Sequence, residues 1–233
     1  MVHVLKREFI ESFRSVRSAL IILFLTLVAY YSSRFFQNNQ VLIHQFLSGE
    51  NTVSIEDVYA TAISFIIMAF GSLFVFSISH DIVNSETESR TIRLLVTKIS
   101  RGQILLGKLL GVILFWWAVI TISYIVIFAI SGSWSINFYT QTLVLLFYFI
   151  SFTMLISTII SKTKLSMFFG IMLGIALPVL NVAAIEIDKW YLIPAKYLLP
   201  FYYNDQLAMS FVPLIIGTAF FILSVFIIKR RDL

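Results

Sequence analysis

From Leu109 to Ser161 the chain runs without a charged residue, and no other feature constrains its fold as strongly. That length exceeds a single helical crossing of a bilayer, which takes about 20 residues, roughly 17–25. Its middle reads Ser131-Gly132-Ser133-Trp134-Ser135-Ile136-Asn137, and a turn there divides it into two spans. Together with the other near-uninterrupted apolar stretches, this predicts six transmembrane helices, at about Ser18–Ser33, Val58–Ser79, Leu109–Ile130, Thr140–Ile160, Leu165–Ile185 and Gln206–Ile228. The first is short between its charged borders, so Arg17 and Arg34 must snorkel toward headgroups.

Composition agrees with an integral membrane protein. The chain is 59% hydrophobic and 12% charged, against about 25% charged in soluble domains. Its formal charge of +5 is mainly a topology signal, not a nucleic-acid one. Lys6, Arg7, Arg14 and Arg17, then Arg90, Arg93, Lys98, Arg101 and Lys108, then Lys162 and Lys164, then Lys229, Arg230 and Arg231 fall on one side of a six-span layout. Arg34, Lys189 and Lys196 fall on the other. The positive-inside bias then predicts cytoplasmic N- and C-termini, with basic groups beside anionic headgroups. No cysteine is present, which excludes disulfides, thiolate metal sites and cysteine nucleophiles. The N-terminus lacks the pattern of a cleavable signal, so its apolar run is expected to remain as the first span.

The chain reads as one transmembrane domain over residues 1–233. Residues 1–17 predict an amphipathic interfacial helix: Val2, Leu5, Phe9, Phe13, Val16 and Leu20 recur at intervals of three or four, and charged residues fill the other faces. It serves equally as an anchor or as a lever. Residues 81–108 form the one large cytoplasmic loop. Residues 186–205 are external and carry Trp190, Tyr191, Tyr197, Tyr202 and Tyr203 with Pro194 and Pro200, which predicts short re-entrant or interfacial helices. An aromatic belt is favoured over a substrate gate for this segment.

The loop contains two sequence-level caps. Ser85 followed by Glu88 has the form of a capping box that starts a short helix near Glu86, and Ser100 followed by Gln103 starts a second that continues into the third span. The second cap decides the meaning of Gly102-Gln103-Ile104-Leu105-Leu106-Gly107-Lys108, which has the glycine and lysine spacing of a phosphate-binding loop. Such a loop needs free amides after a strand and a hydroxyl following the lysine. Here both glycines fall inside a helix, Leu109 follows Lys108, and a membrane span comes next. The chain is therefore expected to bind no cofactor itself. Gly107 with Gly111, and Gly170 with Gly174, have the four-residue spacing that permits close helix packing; Lys108 is placed to reach the inner headgroups.

The run from Ser85 to Gly111, with its acidic Glu86 and Glu88, Thr91, the leucines Leu94 and Leu95, Ser100-Arg101 and Ile104-Leu105-Leu106-Gly107-Lys108, resembles the signature of ABC-2 type transporter permeases. Its place between spans two and three is also the family's. Arg90 stands at the position of the family's glycine, and Lys98 or Ile99 at that of its proline. The resemblance implies a coupling helix that docks on separate ABC ATPase subunits, which bind ATP and Mg. It carries over Glu86, Glu88, Thr91, Arg93 and Arg101 as contact or loop-shaping residues; alternatively, these charges are solvated or paired within the loop. It also implies a second permease copy or a similar permease, and a place in the cell (cytoplasmic) membrane of a bacterium. Spans two and five would line the pathway, with Ser64, Ser72, Ser77 and Asn181 as candidate contacts. Asn181 could equally be satisfied within its own helix near Pro178.

Energetic reasoning leads to a similar expectation. A charge at the middle of a span costs at least about 2.5–3.5 kcal/mol and persists there for function. None of the six spans has one, so ion coupling has no visible residue and a partner must supply energy. His3, His44 and His80 are scattered, with no metal-binding pair, and no partnered base accompanies the span serines. The chain is thus expected to be no enzyme but the permease of an ATP-driven exporter for amphipathic or hydrophobic cargo, such as a peptide, a lipid-like molecule or a drug. The alternative is a passive pore or a non-transporting membrane anchor. No nucleic-acid partner is expected.

Overall fold

A computed structural model describes residues 1–39, 54–88, 100–187, 189–203 and 207–230. Among these, the helices are α1 (Val2–Arg14), α2 (Val16–Asn38), α3 (Ile55–Ser79), α4 (Asn84–Glu88), α5 (Arg101–Ser131), α6 (Ile136–Ile159), α7 (Thr163–Glu186), α8 (Ile193–Leu198) and α9 (Phe211–Arg230). Short 3-10 turns cover Trp190–Leu192, Pro200–Tyr203 and Leu207–Ser210. The described chain contains no strand. Six of its helices are long and apolar enough to cross a membrane, and α2, α3, α5, α6, α7 and α9 supply them.

Local chemistry sets most of the helix ends. Ser54 and Asp57 form a reciprocal capping box at the start of α3, and Ser100 and Gln103 form another at the start of α5. Gly102 and Gly107 accordingly lie inside a continuous helix. At its far end α5 stops on Gly132, whose φ of 70° is the left-handed conformation that glycine adopts without a Cβ penalty. Ser135 then caps α6 by accepting from the Phe138 amide, so the charge-free stretch divides where its turn composition predicts.

The amphipathic region differs from its sequence reading. Ser15 is extended, with φ −74° and ψ 135°, and ends α1 before Val16. Val16 and Leu20 therefore belong to α2, where they are exposed. Arg17 does not simply snorkel; its guanidinium donates to the Ser77 carbonyl at the end of α3 (3.1 Å). The α1 residues buried against the bundle are Val4, Glu8 and Ser12, a stripe offset from the apolar one.

Helix α6 is the most buried span and packs on α3, α5 and α9. The core around it includes Trp116, Tyr124, Tyr148, Phe115 and Phe149. Helix α3 also packs on α7, and α1 and α2 pack on α5. Glycines set two close approaches: a Cβ at Gly174 would lie 2.9 Å from Leu73 Cα, and one at Gly111 would lie 2.7 Å from Glu8 Cβ and 3.0 Å from the Leu5 carbonyl oxygen. Gly170 and Gly107 meet Phe76 and Val4 one turn earlier.

Pro178 inside α7 has no N–H, so it cannot bond the carbonyl of Gly174 four residues back. In hydrocarbon such a carbonyl needs another donor. Ser72 of α3, fully buried, donates its hydroxyl to that oxygen at 2.8 Å. Only the close glycine contact lets so short a side chain reach it. Ser72→Ala is expected to destabilise the fold by about 1 kcal/mol, read as the midpoint of denaturant unfolding in detergent. In a Pro178→Ala background, where the helix regains its own amide donor, the same substitution should cost close to nothing.

Candidate functional site

Most of the described charged residues lie at the end of the bundle where α1, α4, α5, the start of α7 and the end of α9 meet. Lys108 lies in the second turn of α5 and is 3% exposed. Its Nζ is 2.6 Å from Glu8 Oε1 of α1 and 3.1 Å from Glu86 Oε1 of α4. Arg7 approaches Glu86 at 3.5 Å while also donating to Glu11 at 2.9 Å, and its side chain is 52% exposed. The reading of Lys108 as a headgroup contact is therefore overturned: the lysine turns inward because two carboxylates lie within reach of it. Gly107 and Gly111 make that possible by bringing α1 against the same face of α5.

Burial raises the Glu8 pKa above its ordinary value, and Lys108 opposes that rise by attraction and hydrogen bonding. Breaking a buried ion pair by removing one partner typically costs 3–5 kcal/mol, because the other charge is left uncompensated. The cluster thus joins α1, α4 and α5 strongly against removal of its single buried cation. Arg7 is too exposed to replace it.

The turn between α3 and α4 is pinned from two further helices. Ser166 of α7 donates to the His80 carbonyl at 2.6 Å, and Ser157 of α6 accepts from the amides of Val83 (3.1 Å) and Asn84 (3.3 Å). Glu88, at the last residue of α4, accepts from the Thr163 amide at 3.0 Å and from its hydroxyl at 2.5 Å. The expected box between Ser85 and Glu88 does not form. Ser85 instead donates to the Asp81 carbonyl four residues back, and α4 starts at Asn84 under Ser157. Arg101 donates to the carbonyls of Ile228 (2.9 Å) and Lys229 (3.2 Å) in the last turn of α9.

Glu86 is buried within the bundle, at 5% exposure, where it meets Lys108. Glu88 and Arg101 each bond another helix. Thr91 and Arg93 lie outside the described residues. The four spaced glycines sit at the two close helix contacts, although the neighbour of Gly107 and Gly111 is α1 and not a span. Among the pathway candidates, Ser64 pairs with Thr142 (3.2 Å), Ser72 serves the Gly174 carbonyl, and Ser77 offers its backbone carbonyl to Arg17. Asn181 is 1% exposed, with no partner for its side-chain oxygen. Among the described residues, no group of three or more His, Asp or Glu could hold a metal ion.

Glu8, Ser157, Thr163 and Ser166 escaped the sequence reading, and Lys108 has a different partner from the one it assigned. Apart from the Lys108–Glu86 pair, their contacts reach residues 73–100 positions away, beyond any local pattern. One signal was available for Glu8, because Val4, Glu8 and Ser12 share a face at four-residue spacing.

Lys108→Met should lower the unfolding midpoint by the equivalent of about 3–5 kcal/mol at neutral pH. The sign of its pH dependence follows from Glu8. A carboxyl whose folded pKa is raised contributes stability that is present below its unfolded pKa and lost as pH rises through the folded value. Removing Lys108 pushes that folded value further up. The variant should therefore regain stability between pH 8 and pH 5, more steeply than the unsubstituted protein, when unfolding is followed over that range.

No curated protein matches the chain significantly. The family model described as ABC-2 family transporter protein matches residues 2–189, a stretch that runs from α1 through α7 and includes the whole ion-pair cluster. The chain belongs to the ABC-2 family of transporter proteins and is a membrane permease of an ABC transporter.

Proposed function

We propose that this permease works as an exporter, in which two copies, or this chain and a similar one, form the pathway and ATPase subunits bind at the end that holds Lys108. ATP binding by those subunits moves the segment between α4 and α5, and the spans change access from the inner leaflet toward the outside. The N- and C-termini lie in the cytoplasm, and the complex sits in the cell membrane. The chain hydrolyses no ATP itself; ATP and Mg enter through the partner.

The observation that carries this reading is the distribution of charge. No span has a charge at its middle, while Lys108, Glu8 and Glu86 form a buried cluster that binds the loop stem to α1 and α5. Ion coupling would place a titratable group across the membrane. A device driven mechanically from one end needs instead a firm connection there. Cargo follows more weakly from the same facts: spans without charge suit an amphipathic or hydrophobic molecule, such as a peptide, a lipid-like molecule or a drug.

The partner decides the matter. Affinity purification of the tagged chain from native membranes should bring with it a soluble protein carrying an intact phosphate loop. Arg93→Glu, which inverts a loop charge carried over from the family pattern, should reduce that association. If the chain purifies without an ATPase and conducts solute passively in vesicles, it is a pore; if it recruits other proteins without transport, it is an anchor. Either result overturns the exporter reading.

A further inference from the structure

Residues 89–99 are bracketed by two side chains whose bonds run to different spans. Glu88 precedes the segment and meets the first residue of α7; Arg101 follows it and meets the last turn of α9. Both contacts have the chemistry of a helix cap supplied from another element. The residue before α7, Lys162, offers no side-chain cap of its own, so the Thr163 amide is one of the unpaired donors at a helix start. Glu88 accepts from that amide at 3.0 Å and also from the Thr163 hydroxyl, and its negative charge suits the positive end of the helix dipole. Lys162 and Lys164 add attraction from either side. Arg101 does the converse at α9, donating at 2.9 and 3.2 Å to the carbonyls of Ile228 and Lys229 and placing a cation toward the negative end of the helix.

We propose that Glu88 and Arg101 are a pair of positioning residues that divide the force arriving on the loop between two spans, Glu88 acting on α7 and Arg101 on α9. This rests on the chain being driven by an ATPase. The two contacts are independent in space and opposite in sign, so each stem of the segment has its own handle. The third connection, from Glu86 to Lys108 and Glu8, holds α4 to α1 and α5 and so supplies the fixed point against which the handles act. An ATPase contact role for Glu88 and Arg101 would leave their charged groups free to meet the partner; here both already serve helix ends.

The test uses the full complex with its ATPase in nanodiscs, with amide hydrogen exchange read by mass spectrometry, with and without ATP plus vanadate. In the unsubstituted complex the nucleotide should alter exchange in the first turn of α7 and in the last turn of α9. Glu88→Ala should lose the response at α7 and keep it at α9, and Arg101→Ala should do the reverse. The chain has no cysteine, so Glu88→Cys with Thr163→Cys can be bridged by a short bifunctional thiol reagent, which should restore the α7 response. A general loosening of the fold would remove both responses in both variants. That result, or retention of both responses in both variants, overturns the proposal while leaving the permease reading intact. If no ATPase accompanies the unsubstituted chain, the exporter reading fails first and this proposal falls with it.

Discussion

Lys108 holds together the end of the molecule on which the rest depends. Three elements that share no sequence neighbourhood, α1, α4 and α5, each contribute one charged group to it, and the ammonium is the only fully buried cation among the described residues. Two carboxylates share that single charge. Such an arrangement is costly to desolvate and does not by itself imply high stability. What it imposes is position: Glu8 and Glu86 cannot move away from Lys108 without exposing or stranding a charge. The join thereby fixes where α1 crosses α5 and where the short helix before the loop begins.

Elsewhere the same problem is solved with hydroxyls and helix ends. A chain with so few charges has little else to satisfy backbone groups in hydrocarbon. Ser72 takes the carbonyl released by Pro178, Ser157 takes two amides at the start of α4, and Ser166 takes the carbonyl at the end of α3. Charged residues do the same near the surface, with Arg17 on α3, Arg101 on α9 and Glu88 on α7. Ser72, Ser157 and Ser166 thus satisfy backbone groups where a helix is broken, begins or ends. Ser72 shows why a polar residue in a span need not touch cargo: its oxygen is already committed, and no exposed surface remains to it.

How far the sequence could be read depended on the distance to the partner. The six spans follow from apolar length alone, and the turn at Gly132 and the caps at Ser100 and Ser135 follow from residues within a few positions of one another. The box expected at Ser85 fails because stronger partners compete from elsewhere: Thr163 for Glu88, and Ser157 for the amides at the start of α4. Helix α1 shows a subtler failure. Its apolar stripe continues in register through Ser15 into α2, so periodicity sees one helix, while the backbone breaks there at the extended Ser15. The buried face then proves to be the polar one, because Glu8 is drawn to a lysine 100 residues away.

The Gly-Lys run in α5 shows how a local motif changes meaning with its surroundings. In a phosphate-binding loop the glycines free amides for a nucleotide and the lysine meets its phosphates. Here the Ser100 cap starts a helix at Arg101, so the Gly107 amide is committed to a helical bond, and Gly107 with Gly111 instead removes side-chain bulk. Without bulk at Gly107 and Gly111, the α1 backbone comes near enough for Glu8 to meet Lys108, three residues before Gly111 on α5. A larger residue at Gly111 would push Glu8 outward and leave Lys108 with Glu86 alone. Lysine and glycine thus act as one unit, the glycine setting the approach and the lysine fixing it. What the run binds is an anionic side chain of the same chain.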